Sequence, residues 1–279
     1  MLDFRYHALT LVAVFLALGI GIVLGSSLGD TVVSQANKDI ASSLRADLTK
    51  ARADASDARA RVADRERLID AVFAQLAGGK LKDKRIAVIG SGDLGQTLQT
   101  DVRNAVQKGG GKVTAVFELR TPPQLTAIGS TVGGDFAKLK PKDKRFRELG
   151  RKIGEAATHG GKLAQRLEKE FPNRFSGQAG PIDGVAFYRD PRTNRSSDDQ
   201  AIEQGLIEGL RAAGRPVVGI EKVETDPSQI SFYSNQGLSS VDDVDTAGGR
   251  LALVLALAGA RGNFGYKNSA DSPLPKKQG

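Results

Sequence analysis

The first feature of the chain is a run of apolar residues near its amino end. From Leu9 to Leu28 the sequence reads LTLVAVFLALGIGIVLGSSL, which is 20 residues without a charged side chain. About 20 helical residues cross the hydrocarbon core of a bilayer. Residues 1–29 are therefore predicted to form a transmembrane helix that serves as an uncleaved signal anchor. The alternative is a cleavable signal peptide, whose apolar region is normally shorter and ends in small residues.

Small residues recur along one face of this predicted helix. Ala17, Gly21, Gly25 and Gly29 are spaced four apart, and small residues at that spacing let two membrane helices approach closely. The stripe predicts association between copies of the chain, unless it only reflects the general frequency of glycine in membrane helices. A short flank before the span and a long domain after it are typical of an exported domain. We therefore expect a single-pass protein of the cell membrane whose carboxyl-terminal domain is extracytoplasmic.

The second feature is an apolar repeat with alternating spacings of three and four. It runs through eleven positions, of which only Arg65 is not apolar: Ala41, Leu44, Leu48, Ala51, Ala55, Ala58, Val62, Arg65, Ile69, Val72 and Leu76. Heptads sustained in this way predict a coiled coil, here over residues 30–78. A single helix cannot bury such a seam. It either pairs with a second copy, as a homo-oligomer, or packs on its own carboxyl-terminal domain.

After this helix, short apolar runs alternate with amphipathic stretches. Strands are predicted over residues 85–90, 112–119, 183–188 and 216–220, and helices over 96–107, 145–170, 198–213 and 250–260. The alternation predicts an α/β domain with a mostly parallel, Rossmann-like sheet over residues 79–261. Residues 262–279 are rich in Gly, Ser, Pro and Lys, so they are predicted to be a disordered tail.

The composition narrows the chemistry that this chain can perform. It has no Cys, one Met and two His, His7 and His159. Thiolate nucleophiles, disulfides and cysteine-based metal sites are thereby excluded. His159 precedes two glycines and is predicted to end a helix. The composition predicts no metal ligands, no bound cofactor and no catalytic residues, and hence a protein that is not an enzyme.

The net charge of +8 lies entirely in residues 79–279, because the residues before them sum to zero. Within this part, Lys138 to Lys152 hold eight basic side chains against two acidic ones. Such a cluster is either a solvated face or a docking surface for an anionic envelope polymer or lipid. Nucleic acid is not an expected partner, because the domain is predicted to be exported.

One strand-to-helix turn matches the fingerprint of dinucleotide-binding proteins. Gly90, Gly92 and Gly95 have the spacing G-x-G-x-x-G, and Glu118 lies where a ribose-binding acid is expected. Asp93, however, would place a carboxylate in the anion cradle at the helix start. The turn is thus either a weak cofactor-binding candidate or a tight glycine turn without a ligand.

A second polar cluster precedes the last predicted helix. Asp242, Asp243 and Asp245 lie within four residues, and carboxylates this close together either hold a hard cation or cap the helix that follows. The spacing of an EF-hand loop is absent, which favours the capping role.

Two segments of the chain resemble one protein family. HALTLVAVFLALGIGIVLGSS, from His7, and SSVDDVDTAGGRLALVLAL, from Ser239, are similar to the actinobacterial copper-transporter family typified by the mycobacterial copper transport protein B. The resemblance implies an envelope protein involved in copper export and copper tolerance. Because copper prefers sulfur and imidazole ligands, which this chain largely lacks, two other classes stay open. These are a non-catalytic coiled-coil scaffold of the envelope and a membrane-tethered nucleotide-binding enzyme.

Overall fold

The structure is a computed structural model that describes residues 4–119, 125–171, 175–177 and 180–275. The chain divides into two compact units, Met1–Asp64 and Arg65–Gly279.

Helix α1 (Phe4–Ala77) forms all of the first unit that the structure describes and supplies the first residues of the second. Its segment His7–Gly25 has a mean hydropathy of 2.6 and is long and apolar enough to cross a membrane. The predicted apolar helix at the amino end is confirmed. Ala17 is exposed, and a Cβ added at Gly21 or Gly25 would meet no atom within 4 Å. Gly29 lies within the same helix.

The apolar repeat of α1 is exposed in the first unit and partly buried in the second. Leu44, Leu48 and Val62 are 63%, 50% and 57% exposed. In the second unit Ile69 of the repeat packs against the core, whereas Leu76 is 47% exposed. Phe73 and Ala77, which each follow a repeat position, are buried in the core. The last turns of α1 therefore pack on the chain's own α/β domain, but only part of the seam is covered there. The pairing of the exposed part in a coiled coil stays a prediction.

The second unit is built on a seven-stranded sheet. In chain order its strands are β1 (Arg85–Ser91), β2 (Lys112–Leu119), β3 (Phe175–Gly177), β4 (Gly184–Arg189), β5 (Val217–Ile220), β6 (Ser239–Val241) and β7 (Asn263–Phe264). Their order across the sheet is β3-β2-β1-β4-β5-β6-β7, and all neighbours are parallel except β2 and β3. The predicted α/β class with a mostly parallel sheet is confirmed.

Helices cover both faces of this sheet. They are α2 (Gln96–Lys108), α3 (Leu125–Val132), a short 3₁₀ helix (Gly134–Lys138), α4 (Phe146–His159), α5 (Lys162–Glu170), α6 (Ser197–Ala212), α7 (Ile230–Asn235) and α8 (Ala247–Leu257). One apolar core contains the end of α1 with α2 and α8. The other contains α4, α5 and α6. The sheet is thus buried on both faces, which explains the nearly continuous apolar runs of its central strands.

The helix predicted over residues 145–170 is two helices. Gly160 and Gly161 separate α4 from α5 and have φ angles of 73° and 92°. Such values favour glycine and end a helix. His159 is the last residue of α4, as predicted.

The prediction of a disordered tail from Gly262 is wrong for residues 262–275. Asn263 and Phe264 form β7, and Asp242 accepts hydrogen bonds from the backbone N–H groups of Tyr266 and Lys267 at 2.9 and 3.0 Å. The composition of this segment is polar, but its partners lie far away in sequence and could not be anticipated from local pattern. Residues 276–279 of the predicted tail lie outside the described residues.

Candidate functional site at the carboxyl edge of the sheet

The carboxyl ends of β1 and β4 meet at the centre of the sheet. The strand that follows β1 in the chain, β2, lies on one side of β1, and β4 lies on the other. In open α/β sheets, ligands commonly bind in the crevice at such a reversal of strand order. This crevice is therefore a candidate ligand site, and it adjoins the glycine turn that contains Gly90, Gly92 and Gly95.

Side chains of the protein itself occupy the space beside the glycine turn. A Cβ at Gly92, whose φ is 107°, would lie 2.5 Å from Asp190 Cβ and 2.8 Å from Thr193 Oγ1. The N–H of Gly92 donates to Leu119 O at 2.9 Å. The N–H of Gly95 donates to the carboxylate of Asp93 at 3.0 Å. Two of the amides that would cradle a pyrophosphate are thus already hydrogen-bonded.

The remaining candidates of this motif have structural partners as well. Gly90 lies in β1, where an added Cβ would be 2.5 Å from Leu94 Cγ. Glu118 is buried at the end of β2, with its Oε1 atom 3.4 Å from Gln99 Nε2. The structure brings the motif residues together, but it surrounds them with carboxylates and packed side chains. This arrangement favours a tight turn over a dinucleotide site.

A buried arginine lies beside this turn. The side chain of Arg195 is 4% exposed. Its Nη2 donates to Ser91 O at 2.8 Å and its Nη1 to Asp190 O at 2.9 Å. Burial lowers the pKa of this guanidinium from its usual value. Arg195 therefore ties the loop after β4 to the end of β1.

The positive charge of Arg195 is balanced by Glu203 on α6. Glu203 is 2% exposed and accepts from Arg195 Nε at 3.2 Å and from Arg189 Nε at 2.9 Å. Helix α6 is oriented for this contact by a capping box, in which Ser196 and Asp199 satisfy each other's backbone N–H groups. One buried carboxylate thus holds two arginines.

The network continues across the carboxyl edge to the end of the chain. Arg189 also donates to the side chain of Gln229, whose backbone N–H donates to Glu221 at 2.6 Å. Glu221, fully buried, pairs with Lys267 Nζ at 2.6 Å. Every charged group in this series has a partner of opposite charge or a hydrogen bond. The edge is therefore a stabilised polar network rather than a site with groups held ready for proton transfer.

This network is not apparent from the sequence. Residues 188–199 are polar, which is typical of a surface loop, yet Asp190 and Arg195 within this segment are buried. The available signal was three arginines in the seven residues from 189 to 195, at and after the end of a buried strand.

The carboxylates of the acidic cluster before α8 accept hydrogen bonds, mostly from backbone N–H groups. Asp242 accepts from the segment after β7, and Asp245 accepts from Val223 N at 3.0 Å. Asp243 Oδ2 accepts from the hydroxyl of Thr246, the N-cap of α8, at 2.8 Å. Glu66 from α1 accepts from Ala247 N at 2.9 Å. Within the described ranges no group of three or more potential metal ligands comes together.

Asp243 has one carboxylate oxygen, Oδ1, that is buried without a hydrogen-bond partner. Burial raises the pKa of Asp243 to about 6, while the hydrogen bond from Thr246 acts in the opposite direction and Asp242, Asp245 and Glu66 add repulsion. Because the folded pKa exceeds the unfolded value, the native state gains stability as pH falls through about 6.

Asp243→Asn is expected to remove this pH dependence. The variant should exceed the parent in free energy of unfolding by on the order of 2–3 kcal/mol at pH 7.5, since each pKa unit corresponds to about 1.4 kcal/mol. The advantage should shrink as pH falls through 6 and vanish near pH 4. Thermal unfolding of both proteins across this pH range measures it. Asp245→Asn, at an exposed position two residues away, is the control, and an equal pH-dependent gain there would contradict the assignment.

The basic cluster Lys138–Lys152 separates into three arginines and Lys152, which are ion-paired, and four lysines without an ion pair among the described residues. Arg145 pairs with Asp143, Arg147 with Glu208 on α6, and Arg151 with Glu148 and Glu155. Four lysines of the cluster are exposed and make no ion pair within the residues that the structure describes: Lys138, Lys140, Lys142 and Lys144. Arg147 thus links α4 to α6, Arg151 pairs within α4, and the four lysines leave a positive surface.

The two histidines are far apart in the chain and lie in different units. His159 Nδ1 lies 3.0 Å from Glu155 O and 3.1 Å from Thr158 Oγ1. His7 is exposed on the apolar part of α1. Neither histidine is part of a group of metal-ligating side chains in the described part of the chain.

These features define an α/β protein with one candidate membrane span at its amino end. The family described as "Copper transport outer membrane protein, MctB" matches residues 1–141 and 175–275. The chain belongs to this family, and the resemblance drawn from its two ends is confirmed.

Other comparisons add little. No curated protein matches the chain. Among solved structures, the catalytic subunit of aspartate transcarbamoylase from M. Jannaschii is 13% identical over 66% of this chain and 63% of that chain, with a TM-score of 0.18. The chain thus spans less than two thirds of that protein, and so low a score carries no argument.

Proposed function

We propose that this chain is a single-pass membrane-anchored envelope protein that acts as a homo-oligomer and contributes to copper transport without binding copper tightly itself. Its α/β domain lies on the extracytoplasmic side and has no enzymatic activity. The observation that carries the proposal is the exposed apolar seam of α1. Leu44 and Leu48 are at least half exposed on a helix that also contains the candidate span.

The seam supports self-association because its large apolar side chains, Leu44, Leu48 and Val62, are at least half exposed. Large apolar side chains recurring at heptad spacing are typical of helices that bury them against another helix. The small residues Ala17, Gly21, Gly25 and Gly29 lie on the same helix and support pairing in the same sense. The pairing concerns the part of the repeat before Arg65; after it, Ile69 packs against the chain's own core.

Leu48→Cys is expected to yield a disulfide-linked dimer of the full chain in membranes under mild oxidation. The chain has no cysteine of its own, so any cross-link reports the introduced thiol. Residue 48 belongs to the seam, and Cβ atoms at paired seam positions come within disulfide distance. Cross-linking is measured on non-reducing gels.

Ala53→Cys provides the matched control, because residue 53 lies on the opposite face of the same helix. The Ala53→Cys variant should run as a monomer on the non-reducing gel. Adding Leu44→Asp to the Leu48→Cys variant should abolish the cross-link, since a charge would be buried in the seam. Equal cross-linking at residues 48 and 53, or none at either, would contradict pairing through the seam.

The indirect role in copper transport is supported by the ligand inventory. Copper sites in proteins draw on thiolate, thioether and imidazole groups. The chain has no Cys, a single Met and two separated His. A direct copper pathway would therefore have to come from a partner or from an assembly of several copies.

The full chain in detergent is expected to show no stoichiometric submicromolar site for Cu(II), or for Cu(I) under reducing conditions. Calorimetric titration tests this, with His159→Ala as the comparison. The isotherms of parent and variant should coincide. A submicromolar site that disappears in His159→Ala would make the copper role direct.

A scaffold role is the second candidate, and the four lysines carry it. Lys138, Lys140, Lys142 and Lys144 are exposed and form no ion pair within the described part of the chain. A surface of this charge suits an anionic envelope polymer or lipid. Reversing these lysines to Glu should then release the chain from sedimented cell-wall material while leaving the seam cross-link intact.

Nucleotide-dependent catalysis is not part of the proposal. The glycine turn has its amides engaged, and Asp190 and Arg195 fill the adjoining crevice.

A further inference from the structure

The opposite edge of the sheet holds a cavity of about 430 Å³. It lies at the amino ends of β5 and β6 and is bounded by the carboxyl ends of α6, α7 and α8. We propose that this cavity binds a small phosphate-bearing molecule through three arginines. The inference is independent of the function proposed above, because it involves neither the seam of α1 nor copper.

The lining of the cavity is strongly positive. Arg211, Arg215 and Arg261 all contribute to it, and no lining residue is acidic. A guanidinium offers several N–H donors in a planar fork that matches phosphate oxygens. Three such groups around one cavity form an environment in which an anion is favoured over a neutral ligand.

Arg215 is anchored beside the cavity by an ion pair. Its buried Nη1 atom makes no hydrogen bond in the described structure and lies 3.8 Å from Asp183 Oδ1. The other oxygen of Asp183 accepts from Arg85 N at 2.9 Å. The Arg215 side chain as a whole is 31% exposed, so part of its guanidinium stays accessible to an anion in the cavity.

The other two arginines are available to the same ligand. Arg211 donates through Nη1 to Gln236 O at 2.8 Å, which fixes its position and leaves its other donors without a partner among the described residues. The Arg211 guanidinium lies next to Gly237, where an added Cβ would be 3.4 Å from Nη1. Gly237 has a φ of 66°. Arg261 is exposed and has no ion pair in the described ranges.

The ordinary role of arginine at a helix end does not account for all three. A cation near a carboxyl terminus is stabilised by the helix dipole, and this explains Arg211, in the last turn of α6. Arg215 and Arg261 follow the ends of α6 and α8 by several residues. Their convergence on the cavity is the feature that points to a ligand.

The size of the cavity and its apolar wall indicate more than a free phosphate ion. Ligand pockets of about 300–1,000 Å³ hold small organic molecules. Pro216, Val217 and Leu238 line one side. The expected ligand is a phosphate ester or pyrophosphate whose anionic end meets the arginines, and its source is either a soluble metabolite or the headgroup of an anionic lipid.

The test uses the full chain in a non-ionic detergent, titrated calorimetrically with pyrophosphate and with glycerol 3-phosphate. Saturable binding is expected, weakened by about tenfold or more in Arg261→Gln and in Arg215→Gln, since each removes charge-assisted hydrogen bonds. Arg261 is exposed, so its variant keeps the test valid if Arg215→Gln fails to fold. Arg166→Gln, an exposed arginine on α5, removes the same charge and should bind like the parent.

A water-soluble, short-chain phosphatidylglycerol separates the two sources of phosphate. Its binding to the full chain in detergent, weakened in Arg261→Gln and outcompeted by glycerol 3-phosphate, assigns a lipid headgroup. Binding of the soluble phosphates without binding of this lipid through the arginines assigns a metabolite. Absence of saturable binding in both arms, or equal loss in Arg166→Gln, overturns the proposal.

Discussion

Glu203→Gln is expected to lower the free energy of unfolding by about 3 kcal/mol or more. Breaking a buried ion pair by removing one partner typically costs 3–5 kcal/mol, because the other charge stays buried without compensation. Glu203 is 2% exposed and is paired with Arg189 and Arg195. Glutamine keeps the shape of the side chain but leaves two guanidinium groups facing a neutral amide.

Urea unfolding followed by tyrosine fluorescence measures this loss, since the chain has no Trp and three of its four tyrosines lie in the α/β domain. Glu208→Gln on the same helix is the matched control. Its carboxylate is 38% exposed and pairs with Arg147, so the same substitution there should change stability by about 1 kcal/mol at most. Similar small losses for both variants would show that the network contributes little.

Gly205→Ala is expected to destabilise the protein by about 3 kcal/mol, at the upper end of the usual range for overpacking. Helices α4 and α6 cross with their backbones in contact. An added Cβ at Gly205 would lie 1.8 Å from Arg147 O, and one at Gly209 would lie 2.1 Å from Arg151 O. Gly150 and Gly154 on α4 make the reciprocal approaches, 2.1 and 2.3 Å from backbone oxygens of α6. Because the obstructing atoms are backbone, no side-chain rotation relieves the clash.

The sign of the change in the free energy of unfolding shows whether helix propensity or the close crossing of α4 and α6 dominates. Helix propensity alone would make Gly→Ala stabilising by about 1 kcal/mol, whereas the close crossing makes it destabilising. The same urea unfolding measures it. Gly180→Ala is the control, because its Cβ would meet only Arg85 Nη1 at 4.0 Å. A gain in stability for Gly205→Ala would mean that α4 and α6 are not held this closely.

The fold class was predictable because its signals are local. The apolar runs of β1 and β2 each lie between charged residues or glycines, and the structure places both strands within one residue of the predicted bounds. Strand β6 was missed because Ser239 and Ser240 are polar and the strand has only three residues. Its position depends on pairing with β5 and β7, which no local pattern contains.

The candidate site was predictable only in part. The glycine turn was found at its correct place between β1 and α2, since a motif is a local signal. The environment of the turn was not predictable, because Arg195 is distant from Ser91 in sequence and reaches it only through the pairing of β1 with β4. Likewise the arginines of the cavity are spread over 51 positions, from 211 to 261, and converge only in the folded sheet.

The burial of the last turns of α1 decides where a soluble fragment of this protein can begin. Composition places the start of the α/β domain after Gly78-Gly79, but Phe73 and Ala77 are 2% and 0% exposed within its core. Glu66 also satisfies the first N–H of α8. A fragment cut at residue 79 would expose the apolar faces of α2 and α8 to water and to other copies of itself, which favours aggregation. One that starts before Arg65 keeps both the apolar cover and the helix cap.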